Sequence, residues 1–224
     1  MSEPAPFAAA GGARAFVIDD DDALRDALTF LLRSRGVAVA PFGSAEAFLD
    51  RFEPASRGCI LTDVRMPGLS GIELVDRLSS INCRLPVIVL TGHGDVTMAV
   101  HAFKNGVRDF VEKPFSANEL VDKVIAAIED DRAAALKRGE RDDFDQKLAT
   151  LSAREKDVMR LLLAGKLNKV IADDLTIAMR TVEVHRSRIF ARLNVRSADE
   201  LANLVSRVGW TSSEDFASPN RGPA

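Results

Sequence analysis

Short apolar runs in the first half of the chain each lead directly into polar residues. They lie near residues 15–18, 59–62, 87–90 and 110–111. The runs hardly alternate with polar positions, as expected of strands that helices cover on both faces. Helix-like segments fill the intervals, and this alternation predicts a parallel α/β sheet. The predicted strands are residues 14–19, 37–41, 58–63, 86–91 and 108–112.

Helix signals support the same division. A leucine stripe predicts a first helix from about Asp22 to Arg35, and Gly36 is a suitable stop. A serine followed three residues later by glutamate is typical of a capping box, in which the two side chains satisfy free N–H groups reciprocally. This pattern occurs at Ser70, Ser116 and Ser152.

The second half of the chain has a different pattern. Residues 129–150 are charged and only weakly periodic, and Gly139 interrupts their helical composition, so an extended last helix is expected to pass into a linker. Four short amphipathic helices are predicted after it, at 153–164, 168–175, 178–193 and 198–208. The predicted organisation is a disordered leader (1–13), an α/β domain (14–130), a helical linker (131–149), a small all-α domain (150–208) and a disordered tail (209–224).

Composition narrows the class of protein. The chain has 224 residues, 46% hydrophobic and 28% charged, which is typical of globular proteins and allows two modest domains. No apolar stretch is long enough to span a membrane, and the first thirteen residues do not resemble a signal peptide. Cys59 and Cys83 are expected to be reduced thiols. These features predict a cytoplasmic protein without a membrane partner.

The net charge of −3 conceals an asymmetry between the two halves. Residues 151–207 contain 11 basic and 7 acidic residues, whereas the rest of the chain is acidic. An acidic half joined to a basic half indicates two separate roles, with nucleic acid as a candidate partner of the basic half.

The strand ends carry the candidate chemistry of the acidic half. The residues at or just after the ends of predicted strands are Asp19, Asp20, Asp63, Thr91 and Lys113. Ligands of doubly wound sheets bind at the carboxyl ends of the strands, so these side chains are expected to converge there. Three clustered carboxylates repel one another unless a cation such as Mg²⁺ lies among them. Asp63 is then the candidate nucleophile for a phosphoryl group, and Lys113 and Thr91 would hold the phosphoryl oxygens.

These residues lie in motifs that resemble a known family. Asp19-Asp20, LTDVRMPGLSG, LTGHGD and DFVEKPF resemble the receiver domain of bacterial two-component response regulators over about residues 14–130. The resemblance implies a doubly wound (βα)₅ fold with strand order 2-1-3-4-5, and a phosphohistidine on a sensor histidine kinase as the phosphoryl donor. It implies Mg²⁺ held by Asp19, Asp20, Asp63 and the backbone carbonyl of Arg65, with Phe110 as an aromatic switch residue.

Two interpretations of His93 follow from the sequence. It fits either a solvated loop residue or a modulator of the lifetime of the phosphorylated state. The resemblance implies a similar modulating role for the side chain of Arg65.

The basic half contains a candidate DNA-reading helix. Residues 166–193 form two predicted helices with a tight break between them, as in a helix-turn-helix. On a helical wheel Val182, Ile189 and Leu193 form an inward stripe. The opposite face suits a major groove, where Val184 could contact a thymine methyl group and Glu183 could accept from a cytosine amino group.

The other predicted DNA contacts flank these two. Basic side chains are expected to hold phosphates and so to position the helix without specifying sequence. The full set is Lys169, Arg180, Thr181, Glu183, Val184, Arg186, Ser187 and Arg188. His185 is better interpreted as a packed, hydrogen-bonded residue than as a base reader.

Residues 151–205 resemble the LuxR-type DNA-binding domain almost end to end, through LSxRE, NKxIA and RTVExH among other matches. With the receiver this is the layout of FixJ/NarL-type transcriptional regulators. One departure is Ala178, where the family commonly has serine at the start of the reading helix, so a capping hydrogen bond worth about 1 kcal/mol is predicted to be missing.

The sequence therefore predicts a transcription factor that a sensor histidine kinase switches by phosphorylating Asp63. It would form a homodimer on phosphorylation, bind double-stranded promoter DNA and contact RNA polymerase. The alternatives are a Mg²⁺-dependent phosphohydrolase, a constitutive DNA-binding protein with a vestigial receiver, and a helical bundle that binds protein. A phosphohydrolase is disfavoured because Arg65, not a second aspartate, stands two residues after Asp63.

Overall fold

The computed structural model describes residues 12–92 and 107–210. The chain divides into two compact units, Met1–Ala135 and Leu136–Ala224. Within the described residues no helix is long and apolar enough to cross a membrane.

The first unit is built on a five-stranded parallel sheet. Its strand order is β2-β1-β3-β4-β5, as the receiver resemblance implies. Strand β1 pairs with both β2 and β3, so Ile18 lies opposite Phe42 on one side and Thr62 on the other. The strands are β1 (Arg14–Ile18), β2 (Ala38–Phe42), β3 (Gly58–Asp63), β4 (Val87–Thr91) and β5 (Val107–Glu112).

Alternate residues of the central strands enter two different cores. Phe16 and Ile60 belong to one buried cluster, whereas Val17 and Leu61 belong to the other. Side chains of a strand point to opposite faces in turn, so two cores require packing on both sides of the sheet. The near-continuous apolar runs of the sequence therefore reflect a sheet that is buried on both faces.

Helices follow β1, β2 and β3, where the sequence predicted helical segments. In the first unit they are α1 (Asp22–Ser34), α2 (Ala45–Leu49) and α3 (Gly71–Ser80). The side chain of Asp21 accepts from the amides of Ala23 and Leu24 and so begins α1. The predicted capping box between Ser70 and Glu73 is present at the start of α3.

Helix α4 (Ala117–Ala149) continues through Gly139 without a break. The sequence predicted an interruption at this glycine, but no atoms outside the helix surround it and its neighbours favour helix. A single glycine weakens such a helix by about 1 kcal/mol relative to alanine, which strong helix formers on both sides offset.

Four further helices follow α4 between residues 150 and 210, the described remainder of the second unit. They are α5 (Ala153–Leu163), α6 (Asn168–Leu175), α7 (Met179–Leu193) and α8 (Ala198–Arg207). Their core includes Val158, Ile171, Ile189 and Leu201, all fully buried. The predicted capping box at Ser152 and Glu155 begins α5.

Trp210 belongs to this second core although the sequence placed it in the tail. Its side chain is buried, and its ring lies edge-on to Phe144 with centroids 6.1 Å apart. Aromatic pairs of this geometry add to the hydrophobic gain from burial. The polar residues that follow Trp210 in the sequence concealed its packing role.

The cysteine thiols are both free. Burial raises the pKa of Cys59 to about 12, and burial also raises the pKa of Cys83. Cys59 is therefore a neutral core side chain rather than a nucleophile at neutral pH.

Candidate functional site

Three carboxylates meet at the carboxyl edge of the sheet. Asp19 and Asp20 follow β1, and Asp63 ends β3 beside it. One oxygen from each carboxylate can be chosen so that all three lie within 4.8 Å of one another. Asp19 is buried, Asp63 is partly buried and Asp20 is exposed. The spacing suits a hard cation that takes oxygen ligands.

Asp19 is the most constrained member of this group. Burial raises its pKa, while the hydrogen bond from the Asp21 amide and the charge of Lys113 act in the opposite direction. Among the described residues its buried Oδ2 atom has no hydrogen-bond partner. A buried carboxylate oxygen without a donor fits a ligand that the protein itself does not supply, and a divalent cation satisfies that need.

Lys113 brings a positive charge to the same group. Its Nζ atom lies 2.9 Å from Asp63 Oδ1 and 3.7 Å from Asp19 Oδ2. Its backbone amide donates to the Thr91 carbonyl at 2.8 Å, which ties the ends of β4 and β5 together. Because this lysine is only partly exposed, its charge is screened less than that of a surface lysine.

Thr91 and Phe110 lie on the strands that flank this edge. Thr91 is partly buried and its hydroxyl donates to the Gly92 carbonyl at 3.0 Å. Phe110 pairs in register with Val89, and its partly buried ring packs against one of the two sheet cores. His93 lies outside the described residues.

Two further residues support the carboxylates, and the sequence analysis did not identify either of them. The guanidinium of Arg25 donates to the Asp19 carbonyl at 2.7 Å and so holds the backbone between β1 and α1. A Cβ atom at Gly71 would lie 2.1 Å from the Asp63 carbonyl oxygen, so the start of α3 approaches Asp63 too closely for any side chain. Both contacts depend on tertiary packing, which periodicity does not report.

The position of Arg65 agrees with the turn expected after β3. Its side chain is exposed, and the preceding residue Val64 donates its amide to the Leu90 carbonyl at 3.0 Å. Gly71 in turn donates to the Val64 carbonyl at 3.0 Å. These hydrogen bonds fix the backbone from which the Arg65 carbonyl would act.

The second unit presents a helix-turn-helix formed by α6 and α7. Thr176 ends α6 in the left-handed region with a φ of 53°, and Ala178 begins α7. The predicted inward stripe of α7 is present, since Val182, Ile189 and Leu193 are buried. The Ala178 position provides no side-chain capping hydrogen bond, as the sequence predicted.

Most of the predicted DNA-contacting side chains are exposed on this motif. Val184 keeps 43% of its surface accessible although it is apolar. The exposed members of the set are Lys169, Arg180, Thr181, Glu183, Val184, Ser187 and Arg188. Arg186 differs from them, because it is only partly exposed and its Nη1 atom donates to Asn168 Oδ1 at 2.6 Å.

His185 is partly buried, in agreement with the packed interpretation. Its Nδ1 atom, however, is buried without a hydrogen-bond partner among the described residues. The hydrogen bond that the sequence interpretation gave to this histidine is therefore not present at that atom.

A buried carboxylate anchors the far end of the reading helix. Glu155 accepts from the Ser152 amide at 2.8 Å and from Arg192 Nη1 at 2.7 Å. The same arginine nitrogen donates to the Thr150 carbonyl at 2.8 Å. The capping box predicted the first contact, but nothing in the sequence indicated that Arg192 of α7 would reach the start of α5.

Together, a doubly wound sheet with an acidic edge and a separate helix-turn-helix unit define a two-component response regulator with a DNA-binding output. Family models match both parts: the response regulator receiver domain over residues 15–125, and the luxR family of bacterial regulatory proteins over residues 149–205.

Curated relatives match over most of their length. The transcriptional regulatory protein FixJ of Bradyrhizobium diazoefficiens is 44% identical over 194 residues, covering 87% of this chain and 95% of FixJ. The C4-dicarboxylate transport transcriptional regulatory protein DctR of Rhodobacter capsulatus is 45% identical over 191 residues, covering 84% and 97%.

Solved structures agree with these matches. The response regulator StyR is 40% identical with a TM-score of 0.79, covering 87% of this chain and 98% of StyR. Full-length FixJ from B. japonicum is 44% identical with a TM-score of 0.56, covering 88% and 97%. The chain belongs to the FixJ-type family of two-component transcriptional response regulators.

Proposed function

We propose that this protein is switched by transfer of a phosphoryl group to the carboxylate of Asp63 from a phosphohistidine on a sensor histidine kinase. The Asp63 oxygen forms the new bond to phosphorus, and the histidine nitrogen leaves with the electrons of the broken bond. The observation that carries the proposal is the meeting of three carboxylates within 4.8 Å beside Lys113, whose Nζ lies 2.9 Å from Asp63. The ammonium group of Lys113 would offset the negative charge that arrives with the phosphoryl group.

Mg²⁺ fits this group of residues. Asp19, Asp20, Asp63 and the backbone carbonyl of Arg65 would hold it. The buried Oδ2 of Asp19, which has no hydrogen-bond partner among the described residues, supports that assignment. When bound, magnesium would neutralise oxygens of the incoming phosphoryl group. Arg25 would keep the Asp19 backbone in place through its hydrogen bond to the carbonyl.

Thr91 and Phe110 would carry the signal away from the phosphoryl group. A hydroxyl at the end of β4 can donate to a phosphoryl oxygen instead of to the Gly92 carbonyl. The Phe110 ring, partly buried on the neighbouring strand, would follow that movement and change the surface near β5. The switch is thus a two-state element that phosphorylation biases.

Helix α7 would read double-stranded DNA in the major groove. Lys169, Arg180 and Arg188 would hold phosphates, while Glu183 and Val184 would meet base edges. Thr181 and Ser187 lie exposed on the same helix and complete the surface.

The remaining partners follow from this mechanism. A homodimer formed on phosphorylation would place two reading helices on half-sites about one DNA turn apart. Contact with RNA polymerase would complete the output, and work on the chromosome would place the protein in the cytoplasm. The phosphoryl group would regulate binding and would not mark a turnover enzyme.

The decisive experiment compares the wild-type chain with Asp63→Asn in acetyl phosphate and Mg²⁺. Mass spectrometry should find one added phosphoryl group in the wild type and none in the variant, and only the wild type should gain DNA affinity. The matched control is Asp21→Asn, which keeps the cap of α1 because asparagine also accepts there. If Asp63→Asn gained DNA affinity as the wild type does, the proposal that phosphorylation of Asp63 switches DNA binding would be wrong.

A second assay separates the regulator from a phosphohydrolase. The protein is mixed with excess p-nitrophenyl phosphate, a generic phosphate ester, and released nitrophenol is followed with time. The regulator should release nitrophenol no faster than its own aspartyl phosphate hydrolyses, a rate measured on the isolated phosphorylated chain, whereas sustained turnover above that rate would favour the enzyme.

A further inference from the structure

Arg186 links the two helices of the DNA-reading motif. Its Nη1 atom donates to Asn168 Oδ1 at 2.6 Å, and Asn168 is the first residue of α6. Its guanidinium also lies over the Phe190 ring, with Cζ 5.5 Å from the centroid. Since Phe190 stands four residues later on α7, the two side chains share one face of that helix.

The other basic residues of the motif differ from Arg186 in this respect. The side chains of Lys169, Arg180 and Arg188 are exposed, and in the described part of the chain none of these side chains has a hydrogen bond or ion pair. Their charges therefore face solvent and are available to DNA phosphates. The Arg186 guanidinium is instead held between an amide oxygen and an aromatic ring.

The chemistry of arginine suits this internal position. A guanidinium is planar and donates in fixed directions, so one group can stack on a ring and donate to an amide at the same time. A hydrogen bond to a charged donor is stronger than a neutral one. The contact therefore fixes the distance between the start of α6 and the middle of α7.

We propose that Arg186 is a positioning residue that sets how α7 is presented relative to α6, and that it does not contact a DNA phosphate. This inference rests on the DNA-binding part of the proposed function and revises the role that the sequence had suggested for Arg186. The position of α7 decides which base edges its side chains reach, so Arg186 would act on specificity through that helix.

The salt dependence of DNA binding distinguishes the two roles. Each phosphate contact contributes about −0.9 to the slope of log K against log[salt]. The full phosphorylated chain is titrated between 50 and 200 mM NaCl with a duplex selected from a random pool and with an unrelated duplex. Arg188→Ala is the matched control, expected to flatten the slope by about 0.9 and to weaken both duplexes alike.

Arg186→Ala should behave differently from this control. Its salt slope should equal that of the wild type, and its affinity for the unrelated duplex should stay the same. Its affinity for the selected duplex should fall roughly tenfold, because the loss of one well-made base contact costs a comparable factor. A slope flattened by about one, with equal weakening of both duplexes, would overturn the inference.

Two further variants keep the test informative if Arg186→Ala fails to fold. Arg186→Gln keeps an amide donor for Asn168 but removes the charge, so its slope should match the wild type and its affinity should exceed that of Arg186→Ala. Asn168→Ala should weaken selective binding as Arg186→Ala does, and the double variant should lose little more. Additive losses would overturn the inference.

Two failures can be told apart. A wild-type chain that does not prefer the selected duplex would overturn the proposed function and this inference with it. A wild-type chain that does prefer it, with Arg186→Ala and Arg186→Gln behaving as Arg188→Ala does, would overturn the positioning role alone.

Discussion

Lys113 Nζ lies 2.9 Å from Asp63 Oδ1. The residue that follows the last strand, β5, thus supplies the positive charge beside the carboxylate that ends the third strand, β3. The same ammonium group is 3.7 Å from the buried Asp19. One lysine thus offsets part of the repulsion among three acids. The same charge would also compete with a bound metal for those oxygens.

The first prediction follows from that competition. Lys113→Ala should tighten Mg²⁺ binding about fivefold, which corresponds to about 1 kcal/mol for a partly exposed ion pair. It should also slow phosphorylation by acetyl phosphate, because the arriving negative charge loses its counter-ion. Calorimetric titration with MgCl₂ measures the first effect, and the rate of mass gain measures the second.

The control for this prediction is Lys123→Ala. Lys123 pairs with Asp109 at 2.7 Å, so its removal changes the net charge by the same amount without touching the acidic group. Its Mg²⁺ affinity should stay near that of the wild type. If Lys113→Ala bound Mg²⁺ no more tightly than Lys123→Ala, the lysine would not be competing for the carboxylates.

Two glycines give opposite expectations for the same substitution. Gly71→Ala places a Cβ atom 2.1 Å from the Asp63 carbonyl oxygen, so the backbone at Asp63 must move. Gly139→Ala adds a methyl group where nothing lies within 4 Å, in the interior of α4. We expect the first variant to lose several kcal/mol of stability and its acetyl phosphate reactivity, and the second to gain about 1 kcal/mol.

Urea unfolding followed by circular dichroism measures both stabilities, and mass gain with acetyl phosphate measures reactivity. A Gly71→Ala variant that is as stable and as reactive as the wild type would show that the approach of α3 to Asp63 has no consequence.

Much of the fold was predictable because parallel strands place their terminal residues at one edge. Asp19, Asp63 and Lys113 are far apart in sequence, yet each lies within two residues of the end of a mostly apolar run, and that local pattern is enough to bring them together. Hydrophobic periodicity likewise located the buried stripe of α7. The number of residues per helical turn is the same whatever the helix packs against, so the spacing of apolar residues alone identifies the buried face.

Contacts between elements were not predictable in the same way. The pairing of Arg186 with Asn168, and of Arg192 with Glu155, depends on interhelical distances that no sequence pattern encodes. Trp210 was missed since a lone aromatic residue beside a polar tail has no periodic partner, although it completes a core around Phe144.

The next prediction concerns pH. Burial acts to raise the pKa of Glu155, but hydrogen bonds from Ser152 and the charges of Arg192 and His185 outweigh it, so the pKa lies below its ordinary value. The Glu155 carboxylate then binds a proton less readily in the folded state than in the unfolded state, where a glutamate has a pKa of about 4.3. The stabilisation is present above that pH and is lost as the pH falls through the folded pKa.

Glu155→Gln should therefore lower the free energy of unfolding at pH 7 by about 1–2 kcal/mol. The difference from the wild type should shrink below about pH 4.3, where glutamate also becomes neutral. Urea unfolding monitored by Trp210 fluorescence reports on this unit, since Trp210 is the chain's single tryptophan and is buried in that core. Parallel stability curves for the two proteins across this pH range would contradict the prediction.

The start of the reading helix offers a gain in stability. Ala178 has the extended backbone of a capping residue, with φ −68° and ψ 145°, but its side chain cannot accept a hydrogen bond. Serine at this position would accept from the amide of Arg180 or Thr181, so Ala178→Ser should stabilise the second unit by about 1 kcal/mol. For a domain of this size that corresponds to about 4–8 °C in Tm.

The matched control is Ala191→Ser on the same helix. Ala191 is exposed and lies in the interior of α7, where serine has no free amide to cap and is a poorer helix former by about 0.5 kcal/mol. Thermal unfolding followed through Trp210 should show Tm rising for Ala178→Ser and falling slightly for Ala191→Ser. Equal Tm shifts of the two variants would mean that the effect of serine does not depend on its position in the helix, and so does not come from capping the start of α7.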